Sequence, residues 1–232
     1  MEVNVAKNEP FSISIVTAIR NRSHLIRTQA LASLIQQTRY SFEWIVVNDG
    51  GDPATREIVQ NRQYPFPHQY VEIEHSTTGF RLCVARNVGL ELAKGDLVTY
   101  LDEDNSFCPQ FIEALDSLLT RKTVLGLVIP QQLRRRDAIV DGHLIRQGTP
   151  FVSPTCGTSI ADLIAHRALI DSNGLIHPRA SAPRWNPSYR IYCDYEYFLR
   201  CLQLISKWAS PLVLETVLVN YVQSSEGGDR ML

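Results

Sequence analysis

The feature that most constrains the fold is a regular alternation of strand-like and helix-like segments over the first half of the chain. Short apolar runs rich in β-branched residues alternate with longer segments whose apolar residues recur at helical spacing. The predicted strands are residues 11–17, 42–47, 70–75 and 96–101, and the predicted helices are residues 23–37 (with Ser23 as the N-cap), 54–63, 83–93 and 109–119. Strands that alternate with helices form a mainly parallel sheet covered by helices on both faces. The sequence therefore predicts an α/β fold.

The second half of the chain is less regular. Its expected elements are a strand at 124–130, a hairpin at 131–147, helices at 159–169 and 191–206, and a strand at 212–222. The hairpin prediction rests on Asp141-Gly142, because D-G dipeptides favour hairpin turns. Residues 178–190 are predicted to form a loop, and residues 224–232 a polar tail. Because no linker or internal repeat is visible, residues 1–232 are interpreted as a single domain.

Composition limits the classes of function. The 232 residues are 44% hydrophobic and 20% charged, which suits a chain with a full core. A net charge of -1 argues against a nucleic-acid partner, which normally requires a basic excess. The 5 cysteines include no C-x-x-C pair, so reduced thiols are expected. No signal peptide and no run of about 18 apolar residues is recognisable, which predicts a cytoplasmic protein without a transmembrane segment.

Polar residues cluster where three of the predicted strands end, at residues 17–22, 48–52 and 102–105. In parallel sheets, ligands bind at the carboxyl ends of the strands. Each cluster alone is more typical of a turn than of a site. Three clusters on one edge of the same sheet favour a ligand cleft.

The most informative cluster is Asp102-Glu103-Asp104, which follows an apolar strand. Three adjacent carboxylates repel one another, and a divalent cation relieves that repulsion. Mg²⁺ and Mn²⁺ prefer oxygen ligands and often share them with substrate phosphates. A metal–diphosphate site and an exposed acidic turn are about equally compatible with this tripeptide alone.

Four further residues are candidates for ligand binding. Thr17 and Asp49 end two neighbouring strands and could hydrogen-bond a nucleobase, although local capping at turns is the favoured explanation for either residue taken alone. Arg81 and Arg86 flank the start of a helix, where an anion would bind. The arginines at 134–136 are interpreted instead as part of an exposed hairpin strand.

A mostly apolar helix near the C-terminus carries two carboxylates. Asp194 and Glu196 are two positions apart and so face different sides of the helix. Glu196 and Arg200 are spaced for an ion pair, which gives Glu196 a structural role. Asp194 is therefore the candidate general base.

Common nucleotide-binding and hydrolase signatures are absent, including the phosphate loop, G-x-G-x-x-G, G-x-S-x-G and H-E-x-x-H. The chain instead resembles the family 2 glycosyltransferases, which have the GT-A fold. The resemblance rests on four segments: SISIVTAIRNR at 12–22, WIVVNDGGDPAT at 44–55, ARNVGLELAKGDLVTYLDEDN at 85–105 and CDYEYFLR at 193–200. These segments follow the family's order and usual separations.

The resemblance implies transfer of one sugar from a nucleotide-diphospho-sugar, most commonly a UDP-sugar, to an acceptor hydroxyl with inversion and with Mn²⁺ or Mg²⁺. It implies a nucleotide-sugar-binding half at about 11–122 and an acceptor-binding half at about 123–232. Asp104 would bind the metal directly, with Asp102 as the other end of the D-x-D motif, and Asp194 would be the catalytic base. The residues assigned to the nucleotide sugar are Thr17, Arg20, Asp49, Arg81, Arg86, Asp102 and Glu103.

The sequence also departs from the family pattern. The first loop reads Thr17-Ala18-Ile19-Arg20-Asn21 instead of P-T-Y-N, Asn48 replaces an Asp, and Cys193 replaces the Glu that usually precedes the base. The Q-x-x-R-W pattern of processive members is absent, which favours a non-processive enzyme. The acceptor, a sugar or a lipid-linked sugar, is not specified, and a lipid-linked acceptor would bring the protein to a membrane. A homo-oligomer is compatible with the sequence.

Two alternatives remain. A non-catalytic nucleotide-sugar-binding protein on a degenerate GT-A fold would explain Cys193 and the altered first loop. A sugar-phosphate nucleotidyltransferase would share the sheet and the metal, but its Gly-rich loop after the first strand is missing.

Overall fold

The computed structural model describes residues 13–121, 126–140 and 143–224. The strands are β1 (Ile13–Ile19), β2 (Phe42–Asp49), β3 (His68–Ile73), β4 (Leu97–Tyr100), β5 (Ser106–Phe107), β6 (Val128–Val140), β7 (His143–Arg146), β8 (Phe151–Ser153), β9 (His177–Pro178) and β10 (Leu212–Ser224). The helices are α1 (Ser23–Thr28), α2 (Ala30–Ile35), α3 (Pro53–Gln60), α4 (Arg81–Leu92), α5 (Phe111–Arg121), α6 (Ile160–Ala165) and α7 (Cys193–Ile205). Two 3-10 turns lie at Arg167–Leu169 and Arg179–Ser181.

The first sheet has the strand order β3-β2-β1-β4-β9. Strands β1 to β4 are parallel, and β9 runs antiparallel to β4 at one edge. Every residue of β1 and β2 is buried, as expected for central strands covered on both faces. The prediction of a mainly parallel central sheet flanked by helices is confirmed.

The second sheet has the order β5-β10-β6-β7, and β8 pairs with β6. The predicted hairpin is confirmed, because β6 and β7 pair antiparallel on either side of residues 141–142. Sequence analysis missed β5, β8 and β9, whose two or three residues are too few to show a periodic pattern. Residues 11–12 of the first predicted strand, residues 124–125 of another and residues 225–232 of the predicted tail lie outside the described residues.

The predicted helix at 23–37 is two shorter helices, α1 and α2. Gln29 separates them with φ -115° and ψ -79°, which departs from helical values. Ser23 is the first helical residue and not the N-cap, a position that Arg22 takes without a side-chain hydrogen bond. The helical spacing was nevertheless informative, because Ile26, Ala30 and Leu34 are all fully buried. In the part of the chain that is described, no helix has the length and apolar character needed to cross a membrane.

Helix α4 packs closely against β1 because a glycine faces the strand. A Cβ atom at Gly89 would lie 2.3 Å from Cγ1 of Val16, well inside van der Waals contact. This close approach brings the N-terminal half of α4, with Arg81 and Arg86, to the carboxyl edge of the sheet.

A buried aromatic cluster joins the first sheet to α7. The Tyr197 ring stacks on Trp185 at 3.8 Å between centroids, and its hydroxyl lies 3.0 Å from the Tyr100 hydroxyl. The same hydroxyl lies 3.0 Å from Nε2 of His177, which has no exposed surface. Burial lowers the pKa of His177 from 6.5 to about 4.

Because of His177, we expect the protein to lose stability in mild acid. The unfolded chain binds a proton at His177 below pH about 6.5, whereas the folded chain does so only below about 4. Neutral His177 therefore makes its full contribution to the free energy of unfolding above pH 6.5. This contribution falls by up to about 3 kcal/mol between pH 6.5 and 4. Urea denaturation at pH 7.5, 5.5 and 4.5 would measure this loss. The His177→Gln variant should show a flatter dependence, and an unchanged slope would contradict the assignment.

Candidate active site

The three polar clusters at the strand ends meet in the structure. Strands β1, β2 and β4 are parallel neighbours, so the residues that follow them lie along one edge. Arg22, which follows β1, places its Nη1 atom 3.3 Å from Glu103 and 3.6 Å from Asp104, which follow β4. Arg20 lies between β1 and Arg22 at the same edge. Sequence analysis did not identify Arg22 as a neighbour of Glu103 and Asp104, because no local pattern indicates that contact.

Asp49 and Arg81 form a buried ion pair at the end of β2. Oδ1 of Asp49 accepts hydrogen bonds from Nε and Nη2 of Arg81 at 3.0 and 2.8 Å, and its Oδ2 lies 2.7 Å from Nδ1 of His75. The Asp49 side chain has no exposed surface. Arg81 is therefore held by a buried carboxylate at the end of β2.

The structure corrects the prediction for Thr17. Its hydroxyl donates to the carbonyl oxygen of Leu101 at 2.7 Å and accepts from Nε1 of Trp44 at 2.9 Å. Thr17 is fully buried, because its side chain points from β1 into the core. Both hydrogen-bonding roles of the hydroxyl are taken inside the protein, so we no longer assign this side chain to a nucleobase.

The acidic segment after β4 alternates in burial. Leu101, Glu103 and Asn105 are buried, whereas Asp102 and Asp104 are partly exposed. Glu103 is desolvated and close to the charges of Asp104 and Asp102, which together raise its pKa to about 7. Asp102 and Asp104 thus keep part of their surface exposed on either side of Glu103.

Arg86 connects this segment to α7. Its Nη2 donates to Oδ1 of Asp102 and its Nη1 donates to Oδ1 of Asp194, both at 2.8 Å. The guanidinium carbon lies 4.5 Å from the centroid of the Trp185 ring, and the Arg86 side chain is only 1% exposed. One buried cation therefore links Asp102 to the candidate base, Asp194.

Asp171 and Asn173 complete the cluster, and sequence analysis missed both. Nδ2 of Asn173 donates to Oδ2 of Asp102 at 2.9 Å and to Oδ1 of Asp171 at 2.7 Å. Burial and the charges of Asp194 and Asp102 raise the pKa of Asp171 to about 6. The DSNG segment at 171–174 could have been interpreted as a turn, but nothing in the sequence links it to residue 102.

The donor set fits a divalent cation that is shared with a ligand. The carboxylates of Asp102, Glu103, Asp104 and Asp171 lie near the guanidinium groups of Arg22, Arg86 and Arg134. Within the described ranges, no group of three or more His, Cys, Asp or Glu side chains is arranged to hold a metal ion by itself. A cation at Asp104 and Asp102 would therefore take its remaining ligands from water or from a bound diphosphate.

The two carboxylates of α7, Asp194 and Glu196, lie in different environments, as predicted. Glu196 pairs with Arg200 through two hydrogen bonds of 2.5 and 2.7 Å, which is a structural role. Asp194 is 28% exposed, and no hydrogen bond to its Oδ2 atom is formed by any residue of the described ranges. Cys193 is buried beside Cys83, so the position that usually carries a Glu faces the core.

A cavity of about 260 Å³ opens beside Asp194. Its lining residues are Arg134, Arg135, Arg136, Phe151, Arg167, Ala168, Ile170, Asp171, Tyr192, Asp194, Tyr195, Tyr221 and Gln223. The expectation of an exposed strand at 134–136 is wrong for Arg134, which is 8% exposed. The Arg134 guanidinium is buried because it donates to the carbonyl oxygens of Ala168 and Leu169 at 2.8 and 3.0 Å.

This architecture is that of the GT-A glycosyltransferases. The crystal structure of S. aureus TarS 1-349 superposes with a TM-score of 0.69 and 18% identity, over 91% of this chain and 60% of that chain. The structure of TarS 1-349 in complex with UDP-GlcNAc gives a TM-score of 0.68 and 17% identity, over 91% of this chain and 58% of that chain. The predicted fold is confirmed.

The chain belongs to glycosyl transferase family 2, whose model matches residues 14–172. The chondroitin synthase of Pasteurella multocida (strain Pm70) is 34% identical over 97 residues, which is 42% of this chain and 10% of that protein. The chondroitin synthase of Escherichia coli is 30% identical over 120 residues, 52% of this chain and 17% of that protein. The uncharacterized glycosyltransferase YibD of Escherichia coli (strain K12) is 32% identical over 108 residues, 47% of this chain and 30% of that protein. These matches span less than a third of each relative's length.

Proposed function

We propose that this chain transfers one sugar from a nucleotide-diphospho-sugar, a UDP-sugar, to an acceptor hydroxyl with inversion at the anomeric carbon. The observation that carries the proposal is the link through Arg86, which holds Asp102 and Asp194 on one guanidinium at 2.8 Å each. Arg86 joins the acidic residues that follow β4 to Asp194, which lies beside the cavity. In the proposed reaction, donor and acceptor meet between these two places. Membership of family 2 and the UDP-GlcNAc bound to TarS support the choice of donor.

The proposed reaction is a single displacement. Oδ2 of Asp194 accepts the proton of the acceptor hydroxyl, and Arg86 holds Oδ1 so that the carboxylate keeps its orientation. The acceptor oxygen forms a bond to the anomeric carbon as the bond from that carbon to the diphosphate breaks. The nucleoside diphosphate leaves on the face opposite the acceptor.

Asp104 and Asp102 are the residues that we propose for holding Mn²⁺ or Mg²⁺. When bound, the cation would neutralise negative charge on the diphosphate. Arg22 lies 3.6 Å from Asp104 and adds a second positive charge at that position. Asp49 would act by holding Arg81 at the nucleoside end of the cleft, since its own carboxylate is fully paired.

A test of this assignment is metal-dependent binding of UDP. We expect isothermal titration to show UDP binding with Mn²⁺, at least about tenfold weaker binding without it, and the same weakening in Asp104→Ala. Glu57→Gln is the matched control, because Glu57 is an exposed carboxylate on α3 with no ion pair in the described part of the chain. Equal affinity with and without Mn²⁺ would contradict a metal site at Asp104.

The two alternative functions give different products. A nucleotidyltransferase would release pyrophosphate from UTP and a sugar phosphate, whereas a glycosyltransferase releases UDP from the UDP-sugar. A non-catalytic binding protein would bind UDP but would form neither pyrophosphate from UTP nor UDP from the UDP-sugar. Slow hydrolysis of the donor in the absence of an acceptor would already support transfer chemistry over binding alone.

A further inference from the structure

We propose that the cavity beside Asp194 binds an anionic group, a phosphate or a carboxylate, and that the acceptor is therefore a negatively charged glycan. This inference rests on the proposed function, because it assigns the acceptor to the cavity that Asp194 lines. It goes beyond that function by naming the chemical class of the acceptor.

The cavity is placed to receive an acceptor and not the donor. Apart from Asp194, its lining comes mainly from β6, β8, the turn at Arg167–Leu169 and β10, all in the second half of the chain. The residues that we propose for the nucleoside end of the donor, Asp49 and Arg81, lie at the end of β2 in the first sheet. A volume of about 260 Å³ is below the range of roughly 300–1,000 Å³ typical of drug-sized ligands, so one sugar unit fits better than a whole nucleotide sugar.

The charge of the lining favours an anion. Of its four arginines, Arg135 is paired with Asp137 at 2.9 Å. The other three, Arg134, Arg136 and Arg167, form no salt bridge with any carboxylate of the described ranges. Because the lining contributes only Asp171 and Asp194 as acids, an anionic ligand would balance the remaining positive charge.

The three guanidinium groups without a salt bridge lie over aromatic rings. The Arg167 carbon is 4.1 Å from the Tyr192 centroid, and the Arg136 carbon is 5.7 Å from the Phe151 centroid. The third, at Arg134, lies 5.3 Å from the Tyr221 centroid. The face-stacked guanidinium groups of Arg136 and Arg167 keep in-plane N–H groups for a phosphate or a carboxylate. Arg134 adds its positive charge, but its N–H groups already donate to Gln132, Ala168 and Leu169.

Two of these rings are exposed to solvent, which suits a sugar-binding surface. Phe151 is 42% exposed and Tyr192 is 52% exposed, so both rings are accessible to a ligand. Tyr192 also has φ 61°, a left-handed conformation that costs a non-glycine residue free energy. This backbone holds the ring beside Arg167, two residues before Asp194.

The test compares charged and neutral sugars on the whole protein. Saturation-transfer NMR titrations would use glucose 6-phosphate, glucuronic acid and glucose at one ionic strength. We expect the charged sugars to bind wild-type protein at least about tenfold more tightly than glucose, and the Arg136→Gln/Arg167→Gln variant to lose that difference. Arg134 is left intact, because its hydrogen bonds to Ala168 and Leu169 are structural.

Arg39→Gln/Arg62→Gln is the matched control, since it removes two exposed arginines elsewhere and should keep the preference. The stronger of the two charged sugars identifies phosphate or carboxylate as the acceptor group. Equal binding of glucose would overturn the proposal, and so would displacement of the charged sugars by UDP, which would make the cavity a donor site. Binding of charged sugars without any binding of UDP would instead overturn the proposed function and leave the anion site standing.

Discussion

The Asp194→Asn variant is expected to bind UDP as tightly as the wild type and to transfer sugar at least about 100-fold more slowly. A positioned general base contributes roughly 10²–10⁴-fold to a rate, and an amide cannot take the proton. Asn keeps an oxygen that can accept the 2.8 Å hydrogen bond from Arg86, so the cleft should keep its shape. The measurement is kcat by UDP release together with the Kd for UDP in the presence of Mn²⁺.

Glu196→Gln is the matched control on the same helix. It removes the same charge and breaks the ion pair with Arg200, but Glu196 is not among the residues that line the cavity. A partly exposed pair of this kind contributes about 0.3–0.5 kcal/mol, so transfer should stay close to the wild-type rate. Equal losses of rate in both variants would point to a general charge effect and would remove Asp194 from the role of base.

The parts of the fold with strong periodicity could be predicted from the sequence. Strands β1 and β2 are fully buried, and their sequences are accordingly rich in β-branched and aromatic residues. The polar residues after β1, β2 and β4 had to meet because parallel neighbours end at one edge. The ion pair of Glu196 with Arg200 followed from helical spacing alone.

What could not be predicted depends on contacts between distant residues. Asn173 reaches Asp102 across 71 positions of sequence, and Arg86 reaches Asp194 across 108. The buried position of Thr17 follows from the Trp44 and Leu101 partners that only the folded sheet supplies. Local pattern gives the identity of such side chains but not the direction in which they point.

Removing the cation at Arg86 should have the second large effect. We expect Arg86→Met to lower the free energy of unfolding by about 3–5 kcal/mol, because two carboxylates lose their buried partner. Arg86→Lys should retain more stability and still lose transfer, since a compact ammonium group does not reproduce the planar fork that donates from two nitrogens to Asp102 and Asp194. Urea denaturation gives the stability, and UDP release gives the rate.

A double-mutant cycle separates the ion pair from the packing of Arg86 on Trp185. In the Asp194→Asn background one of the two carboxylates is already neutral, so Arg86→Met should cost at least about 1 kcal/mol less than in the wild type. Packing against the ring at 4.5 Å is the same in both backgrounds and cancels in the comparison. Equal costs in the two backgrounds would mean that stacking holds Arg86 in place. Another group would then have to orient the Asp194 carboxylate. The link through Arg86, on which the proposed mechanism depends, would be contradicted.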